Sequence, residues 1–247
     1  MADPIPLDWM PKVRMDRVIA HWTAGAHRAS QFDREHYHFL VEANGNIVRG
    51  TKSVAANSGK LKSGQYAAHT ASANSYSIGI SMCCMAGAVE RPFDAGIQPM
   101  TKIQWDAMIR AIAQLCDRYG IPVTDKTVLS HAEVEANLGA KQKGKWDFTR
   151  LAFDPSVVGA AACGAKMRRE VLAALNGVSP GKRPVAPTPE VVVPLPRVPR
   201  EPVIDTPLDE TAGDPKKGSG GKLGLIAGLV AVLLGGGWGV GRWQGWW

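Results

Sequence analysis

Apolar positions along this 247-residue chain follow two different periods. Short runs rich in β-branched and aromatic residues predict strands at 18–22, 37–43, 47–50, 77–85 and 127–130. Asn44-Gly45 is a tight-turn dipeptide, so residues 37–50 are expected to form a β-hairpin with Tyr37 at its start. The run from Ser77 to Met85 reads as a central strand. Trp105, Met108, Ile109, Ile112, Leu115, Cys116 and Tyr119 recur at helical spacing instead. Thr101 and Gln104 form a capping box ahead of them, and Gly120 followed by Pro122 ends the helix. Asp154-Pro155 predicts the cap and first position of a second helix, running to about Leu175. Residues 24–35 read as a loop or short helix. Residues 51–76 lack periodicity and read as a long loop, a feature that in compact domains is often functional. Strands interleaved with helices make this an α/β domain.

Beyond residue 177 the pattern changes. Residues 178–222 hold ten of the seventeen prolines and read as a semi-extended linker. Leu223 to Gly241, nineteen residues, carries no charge and is bracketed by Lys222 and Arg242, with Trp243, Trp246 and Trp247 following. Length, flanking charge and interfacial Trp predict a transmembrane helix. Its seven glycines would allow close helix–helix contact. The expected organisation is a catalytic domain at 1–177, a flexible linker at 178–222, a membrane span at 223–241 and a Trp-rich tail at 242–247. Lys216, Lys217 and Lys222 precede the span and only Arg242 follows it, which by the positive-inside bias leaves the N-terminal domain in the cytoplasm. The opening Met-Ala-Asp-Pro-Ile-Pro has neither a basic start nor an apolar run, so no secretory signal peptide is expected.

The formal charge is +7. Eight Lys and Arg against six Asp and Glu lie from residue 178 onward, which leaves 21 against 16, or +5, in residues 1–177. A mildly basic domain suits an anionic polymer as well as simple solubility. The basic residues form no long run and no aromatic-basic signature, so nucleic acid is not an expected partner. Cys83, Cys84, Cys116 and Cys163 make no Cys-x-x-Cys pair and read as reduced, buried thiols. Adjacent Cys83 and Cys84 are expected on opposite faces of the strand.

Two histidines stand at predicted strand ends, His21 and His131, and a carboxylate, Asp147, follows a Gly- and Lys-rich loop. Two His and one carboxylate form a three-ligand set that leaves a position open, as a catalytic Zn2+ needs. Singly, each has a plain reading: His21 as a buried structural residue, Asp147 as a turn cap, Lys145 as a solvated lysine, Tyr37 as a core aromatic. Jointly they suit amide hydrolysis. Zinc lowers the pKa of a bound water to about 7 and polarises a carbonyl. The oxyanion that develops needs a donor beside the metal, and Lys145 and Tyr37 are available.

The order of segments resembles the zinc amidases of the type-2 N-acetylmuramoyl-L-alanine amidase family, which share the fold of peptidoglycan recognition proteins. The residues carrying the resemblance are His21-Trp22-Thr23, Tyr37-His38-Phe39, Asn44-Gly45, Ala67-Ala68-His69 ahead of Ser77-Ile78-Gly79-Ile80, Ser130-His131 and Lys145-Trp146-Asp147. The family closes on Lys-x-Asp or Lys-x-Cys. The resemblance spans roughly residues 15–155. It implies a mixed central β-sheet flanked by helices, with Zn2+ held by His21, His131 and Asp147 at the floor of a groove. Tyr37 and Lys145 would be catalytic and His69 would line the groove, with Trp22 and Asn74 as further substrate-binding candidates. Two departures stand out. One branch of the family has a catalytic Glu where this chain has Ser81, which points to the branch relying on Tyr. The interval from His131 to Asp147 is also long, with Ala140 to Gly144 inserted, and Lys143 becomes a rival to Lys145.

The implied function is cleavage of the amide between N-acetylmuramic acid and L-Ala of bacterial peptidoglycan. The membrane segment points to a phage or prophage endolysin, held in the host cytoplasm or at the inner membrane and acting on the periplasmic wall. Two other readings are a recognition module that binds peptidoglycan without cutting it and a virion-associated wall-degrading component.

Overall fold

In the computed structural model, which describes residues 4–177, five strands build one sheet. In chain order they are β1 Arg17–Trp22, β2 Phe39–Val41, β3 Ile47–Arg49, β4 Ser77–Met82 and β5 Val128–Ser130. Their spatial order is β3-β2-β4-β1-β5, so β4 is the central strand, as its apolar run predicts. β1 is parallel to β4 and β5, and β2 is parallel to β4. Only β3, the hairpin partner of β2, runs antiparallel, which makes the sheet mixed. The α-helices are α1 Gln31–His36, α2 Lys102–Tyr119, α3 Val134–Leu138 and α4 Ala160–Gly177.

Period-two alternation decides what each sheet face does. Val18, Ala20 and Trp22 of β1 and Ile78, Ile80 and Met82 of β4 enter the main core. There they meet Trp105, Met108, Ile112 and Leu115 of α2 and Met167 and Val171 of α4. Each fully buried Val, Ile, Leu or Met side chain among them contributes about 1.5–3 kcal/mol. The alternate residues Ile19 and Leu129 face the other way, under Ala73 and under Val134 and Leu138 of α3. His21, Gly79 and Ser81 fall on this second face, with His21 and Ser81 cross-strand partners.

α2 begins and ends where the sequence places it. Thr101 Oγ1 accepts from the Gln104 amide and Gln104 Oε1 from the Thr101 amide, each at 3.1 Å. Gly120 closes the helix at φ 65°. The Gln104 side chain also donates to the carbonyls of Val41 and Cys83, anchoring the helix start to the ends of β2 and β4.

Three expectations are corrected. Asp154-Pro155 does not open α4, which starts at Ala160. Asp154 Oδ1 accepts from Ser156 Oγ at 2.6 Å, Val158 bridges to Arg150, and Gly159 donates to the Thr149 carbonyl at 2.8 Å. Gly159 sits at φ 96°, outside helical space, so this tertiary pairing overrides the local cap signal. Tyr37 is the C-cap of α1 and not the first strand residue. Cys83 and Cys84 follow β4 without belonging to it. All four cysteines are unpaired and buried, as expected, and burial raises their thiol pKa values, to about 12 for Cys116 and Cys163.

The expected linker at 178–222, membrane span at 223–241 and Trp-rich tail at 242–247 lie outside the described residues. Among the described residues no helix is long and apolar enough to cross a membrane.

α4 locks the turn that follows β5. The Glu133 carboxylate accepts from the Ser130 amide at 2.9 Å and from both terminal nitrogens of Arg168 at 2.9 and 3.1 Å. Gly164 lets α4 approach this pair: a Cβ there would stand 2.0–2.1 Å from the Glu133 carboxyl atoms. Those atoms are pinned and have no room to yield. Gly164→Ala is therefore expected to cost about 2–3 kcal/mol by overpacking. That lowers the melting temperature by roughly 5–10 °C. Thermal denaturation followed by circular dichroism checks this, and an unchanged midpoint would mean that α4 shifts freely against the turn.

Candidate active site

β1 and β5 are adjacent parallel strands, and their C-terminal ends carry the two histidines. His21 is the next-to-last residue of β1 and His131 directly follows β5. The crevice beyond the carboxyl ends of parallel strands is where sites gather in open α/β sheets. Asp147 arrives from the Gly- and Lys-rich loop after α3, and its carbonyl accepts from the Ala132 amide at 2.8 Å, stitching it to the His131 turn. An aromatic stack fixes the same segment. Trp22 meets Trp146 and Phe148 with ring centroids 4.6 and 5.9 Å apart, and Phe148 meets Trp105 at 5.7 Å.

The three sequence-predicted ligands converge. His21 Nδ1 lies 3.0 Å from His131 Nδ1 and 3.1 Å from Asp147 Oδ2, and His131 Nδ1 lies 3.3 Å from the same oxygen. All three residues are buried.

The proton positions follow from the outer partners. Gln142 Nε2 sits 2.9 Å from two carbonyls, those of Ala71 and Ala140, so it must be the amide donor. Gln142 Oε1 then faces His131 Nε2 at 2.8 Å and accepts its proton. His69 Nε2 lies 3.3 Å from the Ser77 carbonyl and donates to it, so His69 Nδ1 accepts from the Thr70 hydroxyl at 2.8 Å, and His21 Nε2 donates to Thr70 Oγ1 and His69 Nδ1, each at 3.3 Å. Both histidines are thus protonated on the outer nitrogen. In that tautomer two imidazole lone pairs and a carboxylate oxygen converge on one spot.

Such an arrangement repels itself unless a cation sits at its centre. Tetrahedral Zn2+ with ligands at about 2.0–2.2 Å sets ligand atoms about 3.4 Å apart, close to the separations seen here. Outer ring nitrogens donating to fixed acceptors are the usual support of metal-bound histidine. The donor set fits zinc.

The electrostatics favour a neutral ligand at His21 and a cationic partner for Asp147. Burial lowers the His21 pKa to about 4, outweighing the Asp147 hydrogen bond, so the ring is neutral near pH 7 as a ligand must be. Burial opposes ionisation of Asp147, but the charge and hydrogen bond of His131, with His21, hold it well below the usual carboxylate range. At His131 burial is outweighed by Asp147 and the pKa rises.

The remaining predicted residues fall into two groups. Tyr37 borders the site, its ring 5.1 Å from that of His21. Burial, then Asp147 and Asp33, raise its phenol pKa, so it stays a protonated donor. Ser81 lies near enough to oppose that shift, yet its buried Oγ makes no hydrogen bond with any described group. Half-buried Lys145 is coupled to Asp147 and to both ligand histidines, and burial lowers its ammonium pKa. Lys143 is exposed.

His69, Asn74 and Trp22 occupy interior positions. His69 is 3 % exposed and stands behind His21, packed over Gly79, where a Cβ would lie 2.4 Å from its Cγ. Asn74, 8 % exposed, accepts from the His69 and Thr70 amides at 3.0 and 2.8 Å and so shapes the long loop. Trp22, 6 % exposed, belongs to the aromatic stack on the core face.

Three supporting residues carry little or no signal in the sequence. Gln142 lies in a Gly- and Lys-rich loop with no periodicity to mark it. His38 accepts the Gly79 amide on Nδ1 and donates from Nε2 to Asn57 Oδ1, both at 3.0 Å. Asn57 in turn donates to the carbonyls of Ala67 and Asn74, organising the loop that presents His69. The only signal for His38 was its place between Tyr37 and Phe39.

Comparison with known proteins bears on this geometry. The Amidase_2 family, described as N-acetylmuramoyl-L-alanine amidase, matches residues 11–147, from ahead of β1 to the third ligand. Similar solved structures include the endolysin N-acetylmuramoyl-L-alanine amidase LysCS from Clostridium intestinale URNW, with 17% identity over 52% of this chain and 86% of that one and a TM-score of 0.33. The Ph2119 endolysin from Thermus scotoductus MAT2119 bacteriophage Ph2119 shows 16% identity over 50% of this chain and 75% of that one, with a TM-score of 0.34. The amidase LysC from Clostridium intestinale URNW shows 16% identity over 57% of this chain and 95% of that one, with a TM-score of 0.33. No curated protein sequence matches this chain significantly. With the family pattern running through more than half of the chain, the protein belongs to the N-acetylmuramoyl-L-alanine amidase family and is an amidase of peptidoglycan.

Proposed function

We propose that this amidase is zinc-dependent, with His21 Nδ1, His131 Nδ1 and Asp147 Oδ2 as the protein ligands, and that it serves as a phage endolysin. The observation that carries the metal reading is the convergence of His21 Nδ1, His131 Nδ1 and Asp147 Oδ2, buried and 3.0–3.3 Å from one another. Zinc bound there supplies Lewis acidity, bringing the pKa of a water to about 7 and polarising the scissile carbonyl. Water adds to the carbonyl carbon of the lactyl–Ala amide, the C–N bond breaks, and the products are a muramyl carboxylate and a free L-Ala amine. The Lys145 ammonium and the Tyr37 hydroxyl donate to the carbonyl oxygen as it gains charge. His69 holds the His21 tautomer, and Trp22 and Asn74 fix the segments that flank the site.

A recognition-only role is disfavoured because the third ligand is in place. The uncharged run at 223–241 behind the Pro-rich run at 178–222 supports an enzyme tethered to the inner membrane and acting on the wall. Digestion of purified cell wall by the full chain, read by mass spectrometry, tests the reaction and its metal. Stem peptides with a new L-Ala amino terminus are expected, their release abolished by a chelator and restored by Zn2+. Release that survives complete zinc removal would overturn the metal reading.

A further inference from the structure

In the Gly- and Lys-rich loop between α3 and Asp147, Gln142 is the one fully buried residue of the stretch 139–144. Lys141, Lys143 and Gly144 are exposed, whereas Gln142 is 4 % exposed. Gly139 and Gly144 take φ 73° and Lys143 takes φ 52°, so the backbone turns inward at Gln142 and out again. A left-handed lysine costs about 1 kcal/mol, which the loop must recover elsewhere. It does so at Gln142, whose polar atoms are all occupied. The amide donates to Glu135 Oε2 at 3.0 Å and the carbonyl accepts from the Lys145 amide at 3.2 Å. The side chain donates twice, to the carbonyls of Ala71 and Ala140, and accepts once, from His131 Nε2.

Those two donor bonds fix which end of the amide faces His131. We propose that Gln142 is the positioning residue for His131. It holds the ring in the tautomer and orientation that present Nδ1 to the metal. The inference rests on the zinc reading above. It differs from a loop-tying role, in which only the Nε2 donors would matter.

Two substitutions separate the roles, because each oxygen and nitrogen of the Gln142 amide has a different partner. Gln142→Glu keeps an acceptor for His131 and removes both donors. Gln142→Ala removes everything. Zinc affinity is measured on the full chain by titrating Zn2+ against a chromogenic chelator, alongside the melting temperature of the metal-free protein. Gln142→Ala is expected to bind zinc about 10–100-fold more weakly, the usual cost of losing such an outer partner. Gln142→Glu is expected to keep near-wild-type affinity even where its melting temperature falls. If both variants lose affinity equally, or if Gln142→Ala loses none, the positioning role is overturned. A wild-type chain that takes up no zinc overturns the metal reading itself. Nitrogen NMR of the wild-type zinc form gives an answer independent of how the variants fold: Nδ1 of His131 is expected to be the metal-bound atom, and metal on Nε2 would overturn the proposal.

Discussion

Asp147→Ala is expected to lose wall cleavage by at least 10³-fold, roughly 4 kcal/mol of transition-state stabilisation. Zinc uptake should fall with it, while the sheet and both long helices stay folded. The carboxylate is the only anionic member of the proposed ligand set and the only one supplied by the loop. Without it, His21 and His131 remain as two neutral rings at strand ends, supported by His69 and Gln142. Two neutral nitrogens hold a divalent cation far less well than three ligands including a charge. Asp147→Cys gives the informative contrast. A thiolate is also a zinc ligand, and the family pattern tolerates Cys at this place. This variant is expected to recover zinc binding and a large share of cleavage. Zinc content per chain and rate of stem-peptide release, measured on the same preparations, check both statements. If Asp147→Ala retains full zinc and full cleavage, the site lies elsewhere. If it retains zinc but loses cleavage, Asp147 acts in the reaction without being a ligand.

How far such a site is legible in sequence depends on the range of the interactions that build it. α2 is legible at both ends because its cap bonds lie within three residues and its stop needs only Gly120. The candidate ligand set is legible because β1 and β5 are short apolar runs with a histidine at or just past their C-terminal ends, and a parallel sheet gathers strand ends on one edge. α4 misleads because the bonds that delay its start come from Thr149 and Arg150, outside any local window. His69 is harder still. Its place behind His21 depends on the missing Cβ of Gly79, visible in sequence only as a glycine in an otherwise apolar strand. Gln142 has no local signal, since its partners Ala71 and His131 lie on other segments. The residues that touch the reaction are thus more legible than those that hold them still. The former are chosen by chemistry and the latter by packing.

Lys145→Ala is expected to lower kcat by about 10²–10³-fold with zinc affinity nearly unchanged, the range for removing one donor to a developing oxyanion. Lys145 is two residues before Asp147, on a segment clamped by the Trp22, Trp146 and Phe148 stack and by the Ala132 to Asp147 bond. Its ammonium is therefore placed by the same element that places the ligand. Half-burial lowers its pKa, against the opposing pull of Asp147. A less hydrated ammonium in a partly dry site stabilises an oxyanion better than one in water. Because this charge exists only in the transition state, kcat and kcat/KM should fall together. Lys145→Arg keeps the charge and should retain much more activity than Ala or Met. Tyr37→Phe leaves the aromatic contact with His21 and removes only the hydroxyl. It should likewise reduce kcat, and the double variant should fall short of the product of the two losses, since both donors serve one oxygen. Steady-state kinetics on soluble muropeptides, with zinc stoichiometry measured in parallel, decide the matter. A rise in KM alone would make Lys145 a substrate-binding residue, and a matched loss of zinc would make it part of the metal site's support.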